Sequence, residues 1–195
     1  MFVSTFMPIP YDIPGQAQYW VNNYKSPNNT ATAQDFINNA QKMAKCKPPG
    51  KDLIFIVDSS GSIGSHDFEL ARSFIVSIIN NSREDSNNRV GIVRFSTSAV
   101  LISSLTYDMD NATEIVENMY YDAGSTNIQA GLDMANEMFM SDGRIEVPNV
   151  AILITDGKAN EGGPPGPAAD NLKSLGVNLF TIGVGSQATT DLLYW

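Results

Sequence analysis

Asp58, Ser60 and Ser62 follow directly on the apolar run Leu53-Ile54-Phe55-Ile56-Val57, so one carboxylate and two hydroxyls are delivered together at the end of a stretch that reads as a buried strand. That grouping has the makings of a cation site. Two further oxygen ligands stand at later loop and strand ends, Thr126 in Gly124-Ser125-Thr126-Asn127 and Asp156 in Ile154-Thr155-Asp156-Gly157. Carboxylate and hydroxyl oxygens are hard donors, and no Cys or His joins them at ligand spacing. Mg2+ is therefore the first choice, since it keeps waters and needs few protein contacts; Mn2+ fits as well, and Ca2+, which prefers more oxygens, is the further alternative. Three of the five groups are neutral hydroxyls, so at most two carboxylates balance a doubly charged ion. Such an ion retains affinity for one more anion, and a Glu or Asp carboxylate from a protein partner is its natural last ligand.

The five groups meet only if the chain folds so as to bring three separate places together. After Lys51 an apolar strand followed by an amphipathic helix recurs to the end of the chain, which predicts an α/β fold, a Rossmann-like doubly wound and mostly parallel sheet with flanking helices. The first helix is expected from Ser65 or Asp67, with Phe68, Ala71, Ile75 and Ile78 on one face and Phe74 and Ile79 beside them. Val90 to Phe95 and Val100 to Leu105 are joined by Ser96-Thr97-Ser98, too short for a helical crossover, which predicts an antiparallel hairpin at one edge. Helices are expected at Thr113 to Tyr120 and Ile128 to Met138, a strand at Val150 to Ile154, a rigid loop at Gly162 to Pro167, a short helix at Ala168 to Leu175, a strand at Val177 to Val184 and the first turns of a helix from Thr190. In a parallel sheet the strand ends share one edge, and ligands bind in the crevice there. If the first and fourth strands are neighbours, Asp58 and Asp156 come within reach of one ion.

Residues 1–51 differ in texture. Pro8, Pro10, Pro14 and Gly15 break the start, a helix is expected over about 32–45 behind Thr32 as N-cap, and Cys46-Lys47-Pro48-Pro49-Gly50 stops it as a linker. The domain proper is expected over 52–195. Composition narrows function by exclusion: a formal charge of −9 over 195 residues argues against a nucleic-acid partner, which would need clustered Lys and Arg. No apolar run approaches a membrane span, and Met1 to Gly15 lacks the basic start and apolar stretch of a signal peptide, so no membrane insertion is expected. Cys46 is the single cysteine and makes no internal disulfide. Asn28, Asn80 and Asn111 each open an Asn-x-Ser/Thr sequon, at about the number chance supplies in so Asn-rich a chain.

Taken together, Asp52-Leu-Ile-Phe-Ile-Val-Asp-Ser-Ser-Gly-Ser-Ile-Gly64, Arg89-Val-Gly-Ile-Val-Arg-Phe-Ser96, Gly124-Ser-Thr-Asn127 and Ile152-Leu-Ile-Thr-Asp-Gly157 resemble the von Willebrand factor type A domain, the fold shared with integrin I domains. The resemblance runs from about Lys51 to Trp195. It implies a metal-ion-dependent adhesion site in which Ser60, Ser62 and, with ligand engaged, Thr126 bind the ion directly while Asp58 and Asp156 act largely through water. It also implies an adhesion or matrix-binding module, with collagen or another matrix protein as partner and an extracellular or secreted location. Against the family pattern the chain stops short of a last strand and helix, and with them of the affinity switch. In extracellular relatives a Cys at the place of Cys46 pairs beyond the last helix.

Two other functions compete. An intracellular scaffold domain would use the same metal site. A Mg2+-dependent phosphoryl-transfer enzyme would use Asp58 as nucleophile, but Ser60 stands where haloacid-dehalogenase-like phosphatases want a second Asp, Gly61-Ser62-Ile63-Gly64 is no P-loop, and His66 is the only histidine. The chain is expected not to be an enzyme. Tyr107, Tyr120, Tyr121 and Phe139 are candidates for a contact face around the ion, with core or rim packing as the plainer role.

Overall fold

The computed structural model describes residues 50–157 and 159–184. The helix expected near 32–45, Cys46 and the segment from Thr190 lie outside the described residues. Nine elements follow in order: β1 (Asp52–Asp58), α1 (Gly64–Ser82), β2 (Arg89–Phe95), β3 (Ala99–Thr106), α2 (Met109–Glu117), α3 (Ile128–Asp142), β4 (Asn149–Thr155), α4 (Pro165–Ser174) and β5 (Asn178–Gly183).

The strands form one sheet in the order β3-β2-β1-β4-β5. β1 pairs in parallel with β2 and β4, β4 pairs in parallel with β5, and β2 and β3 make the antiparallel hairpin at one edge. The sheet is thus the mostly parallel one the alternation predicts. β1 lies at its centre with all seven residues buried, which is why the five between Asp52 and Asp58 are all apolar. Successive side chains point to opposite faces. Ile54 and Ile56 pack with Val93, Phe95, Leu132 and Leu172 under α3 and α4, while Leu53, Phe55 and Val57 pack with Phe68, Ile75, Ile79 and Val116 under α1 and α2.

The helices deviate from expectation at their ends. α1 buries Phe68, Ala71, Ile75 and Ile79, leaving Phe74 exposed. α2 begins at Met109, not Thr113, because the Asp108 carboxylate accepts from the Asn111 amide 2.9 Å away and caps the helix a turn earlier. α4 begins at Pro165, inside the segment expected to be a rigid loop. A proline at the first helical position forfeits no hydrogen bond, because that N–H has no intrahelical acceptor, so only Gly162 to Pro164 remain loop.

At the end of the sheet remote from Asp58, a buried carboxylate joins three elements. Asp52 accepts from Arg89 Nε and Nη2 at 2.9 and 2.7 Å, and from the Arg144 amide, Nε and Nη2 at 2.8, 2.9 and 2.6 Å. Burial alone would raise the Asp52 carboxyl, but the two guanidiniums hold it below its ordinary value. Both also lie near the ring of Tyr107, which is therefore at this end of the domain.

Candidate metal centre

Because β1 and β4 are neighbours in register, with Val57 opposite Ile154, the segments Asp58–Ser62 and Thr155–Gly157 leave the sheet side by side. The loop after α2 completes the third side. It is stitched to the first by Ala123 N to Ser59 O (2.8 Å), Gly61 N to Gly124 O (2.8 Å) and a bridge between Ser60 and Gly124. Gly124 also lets this loop lie against the turn between β2 and β3, since a Cβ there would stand 2.7 Å from Thr97 Oγ1 and 3.1 Å from Ser96 Oγ.

The three hydroxyls converge. Ser60 Oγ lies 3.1 Å from Ser62 Oγ, which lies 3.2 Å from Thr126 Oγ1. Neither serine caps α1, whose N-cap is Ile63 without a side-chain cap bond, so the hydroxyls serve each other and not the helix. Adjacent ligands of an octahedral ion lie √2 bond lengths apart, roughly 2.8 to 3.0 Å around Mg2+ and 3.3 to 3.7 Å around Ca2+. The observed spacings, 3.1 and 3.2 Å, fall between the two ranges and do not separate the ions.

The carboxylates are buried too, as are Ser60 and Thr126. Asp58 is fully buried; its Oδ1 accepts from the Ser60 amide at 2.8 Å and its Oδ2 from Thr155 Oγ1 at 2.6 Å. Burial pushes its carboxyl above 3.8, the ordinary Asp value, and repulsion from Asp156 adds to the rise, outweighing the hydrogen bonds that oppose it. Asp156 is itself 2 % exposed. Two buried carboxylates facing one another and rimmed by neutral hydroxyls suit a divalent cation, which relieves both burial and repulsion.

All five residues named from the sequence are brought to one edge, and supporting residues appear that the motif does not name. Thr155 gives its proton to Asp58 and accepts from the Gly157 amide at 3.1 Å, linking the two carboxylate-bearing turns. Asn160 secures Thr126: its Oδ1 accepts from the Thr126 amide at 2.8 Å, and the Thr126 carbonyl accepts from the amides of Asn160 and Glu161 at 3.0 and 3.2 Å. Gly162, at φ +77, lets that loop close over Asn127, for a Cβ would stand 2.3 Å from Asn127 Oδ1. Neither support has a local sequence signal, because each depends on segments far apart in the chain.

Of the aromatic candidates only part border the site. Tyr121 packs on Phe68 with centroids 5.4 Å apart, and its hydroxyl lies 3.5 Å from the Gly61 carbonyl. Tyr120 is 68% exposed beside Arg94, whose guanidinium lies 5.7 Å from the ring centre. Phe139 belongs to the core and Tyr107 to the opposite end of the sheet, so neither contributes here.

A mostly parallel sheet with a cluster of hydroxyl and carboxylate oxygens at its carboxyl edge defines a class of α/β modules. The chain belongs to the von Willebrand factor type A domain family, whose model matches residues 52–194. It is 31% identical over 144 residues to the mouse (Mus musculus) collagen alpha-4(VI) chain, covering 72% of this chain and 6% of that one. It is 28% identical over 147 residues to chicken (Gallus gallus) matrilin-1, covering 72% of this chain and 29% of that one. The chain thus spans a small part of the length of these curated relatives. Among solved structures it is similar to proximal thread matrix protein 1 from the mussel byssus with a zinc-occupied MIDAS motif, at a TM-score of 0.65 and 24% identity over 76% of this chain and 43% of that one. An aerotolerance-related membrane protein from Bacteroides fragilis shares the fold at a TM-score of 0.61 and 26% identity, covering 70% of this chain and 68% of that one. The module is non-enzymatic.

Proposed function

We propose that residues 52–194 are a divalent-cation-dependent protein-binding module of the extracellular matrix, in which Ser60, Ser62 and Thr126 bind the ion directly and Asp58 and Asp156 hold it largely through water. The observation that carries this reading is the convergence of the three hydroxyls at 3.1 and 3.2 Å at the sheet edge where two buried carboxylates also stand. Mg2+ is the first choice because it keeps waters and needs few protein oxygens, with Mn2+ or Ca2+ as alternatives. When bound, the ion supplies a Lewis-acidic position for a Glu or Asp carboxylate of the partner. Collagen or another matrix protein is the partner class, in keeping with the names of the relatives, and secretion follows from it.

The test follows thermal stability as MgCl2, MnCl2 or CaCl2 is added to wild type and to Asp156→Ala, and then binding to immobilised collagen with and without chelator. At about 100 times its Kd an ion binding only the native state adds about 2.7 kcal/mol. Wild type should respond and Asp156→Ala should not; equal responses remove the site, and chelator-insensitive collagen binding removes the metal-bridged contact.

The response should depend on pH with a definite sign. Metal needs deprotonated carboxylates and the Asp58 carboxyl is raised, so metal affinity falls as pH drops from neutral through the raised Asp58 value, which lies above 3.8. A metal-induced shift that stays constant over that range would contradict the assignment of Asp58.

Asn160→Ala removes one of the three hydrogen bonds on the Thr126 backbone without replacing any proposed ligand. Loss of a supporting contact typically weakens metal binding about 10-fold, at a stability cost of about 1 kcal/mol. Calorimetric Mg2+ titration reads the first and chemical denaturation in chelator the second; unchanged affinity would reduce Asn160 to a loop residue.

A further inference from the structure

We propose that Asn80 and Asn111 are N-glycosylation sites that together mark the end of the domain opposite the metal edge. The inference rests on the extracellular part of the functional reading and is independent of the metal. In sequence the sequons are 31 positions apart and unremarkable in number; in the fold they are neighbours. Asn80 lies near the end of α1 and Asn111 in the first turn of α2, both exposed. Arg83 joins them. Its Nε donates to Asn80 Oδ1 at 3.0 Å, while its Nη1 donates to Asp110 at 2.7 Å and its Nη2 to the Met109 carbonyl and Thr113 Oγ1 at 3.1 and 3.2 Å.

The chemistry of the acceptor is favourable at both positions. Glycan attaches to the side-chain amide nitrogen, and among the described residues neither Asn80 Nδ2 nor Asn111 Nδ2 has a hydrogen-bond partner. Arg83 holds the oxygen of Asn80 and leaves the nitrogen outward. Asn88 and Asn118 differ, each donating its amide to a backbone carbonyl, of Ser82 and of Glu114. In the transfer the Asn nitrogen bonds to the anomeric carbon of a lipid-diphosphate-linked oligosaccharide, the lipid diphosphate leaves, and the amide loses one proton.

Position gives the pair its meaning. α1 starts just after Ser62, and Asn80 stands about 24 Å along it from Gly64 at 1.5 Å per residue. β3 starts opposite Phe95 at the metal edge and ends with Thr106 paired to Val90, beside the buried Asp52 and Arg89, so α2 begins at that far end too. Among the described residues no sequon lies at the metal edge. Sugars at Asn80 and Asn111 therefore cover the far end and leave the Ser60, Ser62 and Thr126 face open to a partner.

The full chain, secreted from a eukaryotic cell behind a cleavable leader, is digested and mapped by mass before and after peptide N-glycosidase. Both the Asn80 and the Asn111 peptides should carry glycan and show Asn-to-Asp conversion on release; Ser82→Ala should abolish the first and Thr113→Ala the second, with any glycan at Asn28 resolved as its own peptide. Peptides of secreted wild type unmodified at Asn80 and Asn111 overturn the proposal, whatever the variants do. The Mg2+ response of glycosylated and enzymatically stripped protein should be the same, and a response restored only by stripping overturns the placement of the sugars away from the site. If neither form responds, the metal reading fails while the mapped glycans stand.

Discussion

Asp52→Asn is expected to lower the unfolding free energy by about 3–5 kcal/mol, because removing one partner of a buried ionic network leaves the other charges uncompensated. For a domain of this size that corresponds to roughly 6–20 °C in Tm. Asp52 is fully buried and accepts five hydrogen bonds from Arg89 and Arg144. An asparagine keeps the shape but turns an NH2 toward those donors and removes the charge that both guanidiniums face. Arg89 also donates to the Asp142 carbonyl at 2.6 Å and Arg144 to the Asn87 carbonyl at 2.8 Å, so the same change loosens the ends of α3 and the turn before β2. The pH dependence has the opposite sign to that at Asp58. A depressed carboxyl contributes stability that is present above its unfolded value of 3.8 and lost as pH falls through its lower folded value, so wild type should weaken below that range while Asp52→Asn stays flat there. Urea denaturation at neutral and acid pH measures both effects. Coincident wild-type and variant curves at neutral pH would show that the network contributes nothing.

That network also marks where reading from sequence stopped. The central strand was legible because β1 is buried on both faces and so is apolar from Leu53 to Val57, and the hairpin was legible because three residues cannot carry a crossover. Asp58, Ser60 and Ser62 were legible for a related reason: polar groups directly behind such a strand stand at the edge where parallel strands end. Asp52 opens the same strand, yet its partners lie 37 and 92 positions away, and nothing local distinguishes a buried, paired Asp from a solvated one. Thr155 and Asn160 escaped for the same cause, their roles being set by the pairing of β1 with β4 and by the meeting of two loops. The errors at α2 and α4 were local. Asp108 as a cap and Pro165 as a first helical residue both have known helix-start preferences, and the Gly-Pro texture of 162–167 obscured the second.

Asp58→Asn should separate stability from function. In the absence of metal the raised Asp58 carboxyl favours the folded state only while protonated: its stabilising contribution is fully present below 3.8 and disappears as pH rises through the higher folded value. At neutral pH the ionised group is buried beside Asp156 and opposes folding. Asparagine removes that charge and retains a carbonyl to accept from Thr155 or from the Ser60 amide, so the metal-free variant should be more stable than metal-free wild type at neutral pH, and the difference should vanish on acidification. Metal binding moves the other way. Losing a charged group that orients bound water should cost about 100-fold in affinity, at the upper end of outer-sphere substitutions. At a Mg2+ concentration about 100 times the wild-type Kd, the response then drops from about 2.7 to about 0.4 kcal/mol. The two melting curves should therefore cross as Mg2+ is added, wild type starting lower and finishing higher. Curves that run parallel through the titration would mean that Asp58 does not act on the ion. Curves that respond together but start in the reverse order would mean that burial of this carboxylate is not what destabilises the metal-free fold. The crossing is the signature of a site kept for binding at the expense of the fold that carries it.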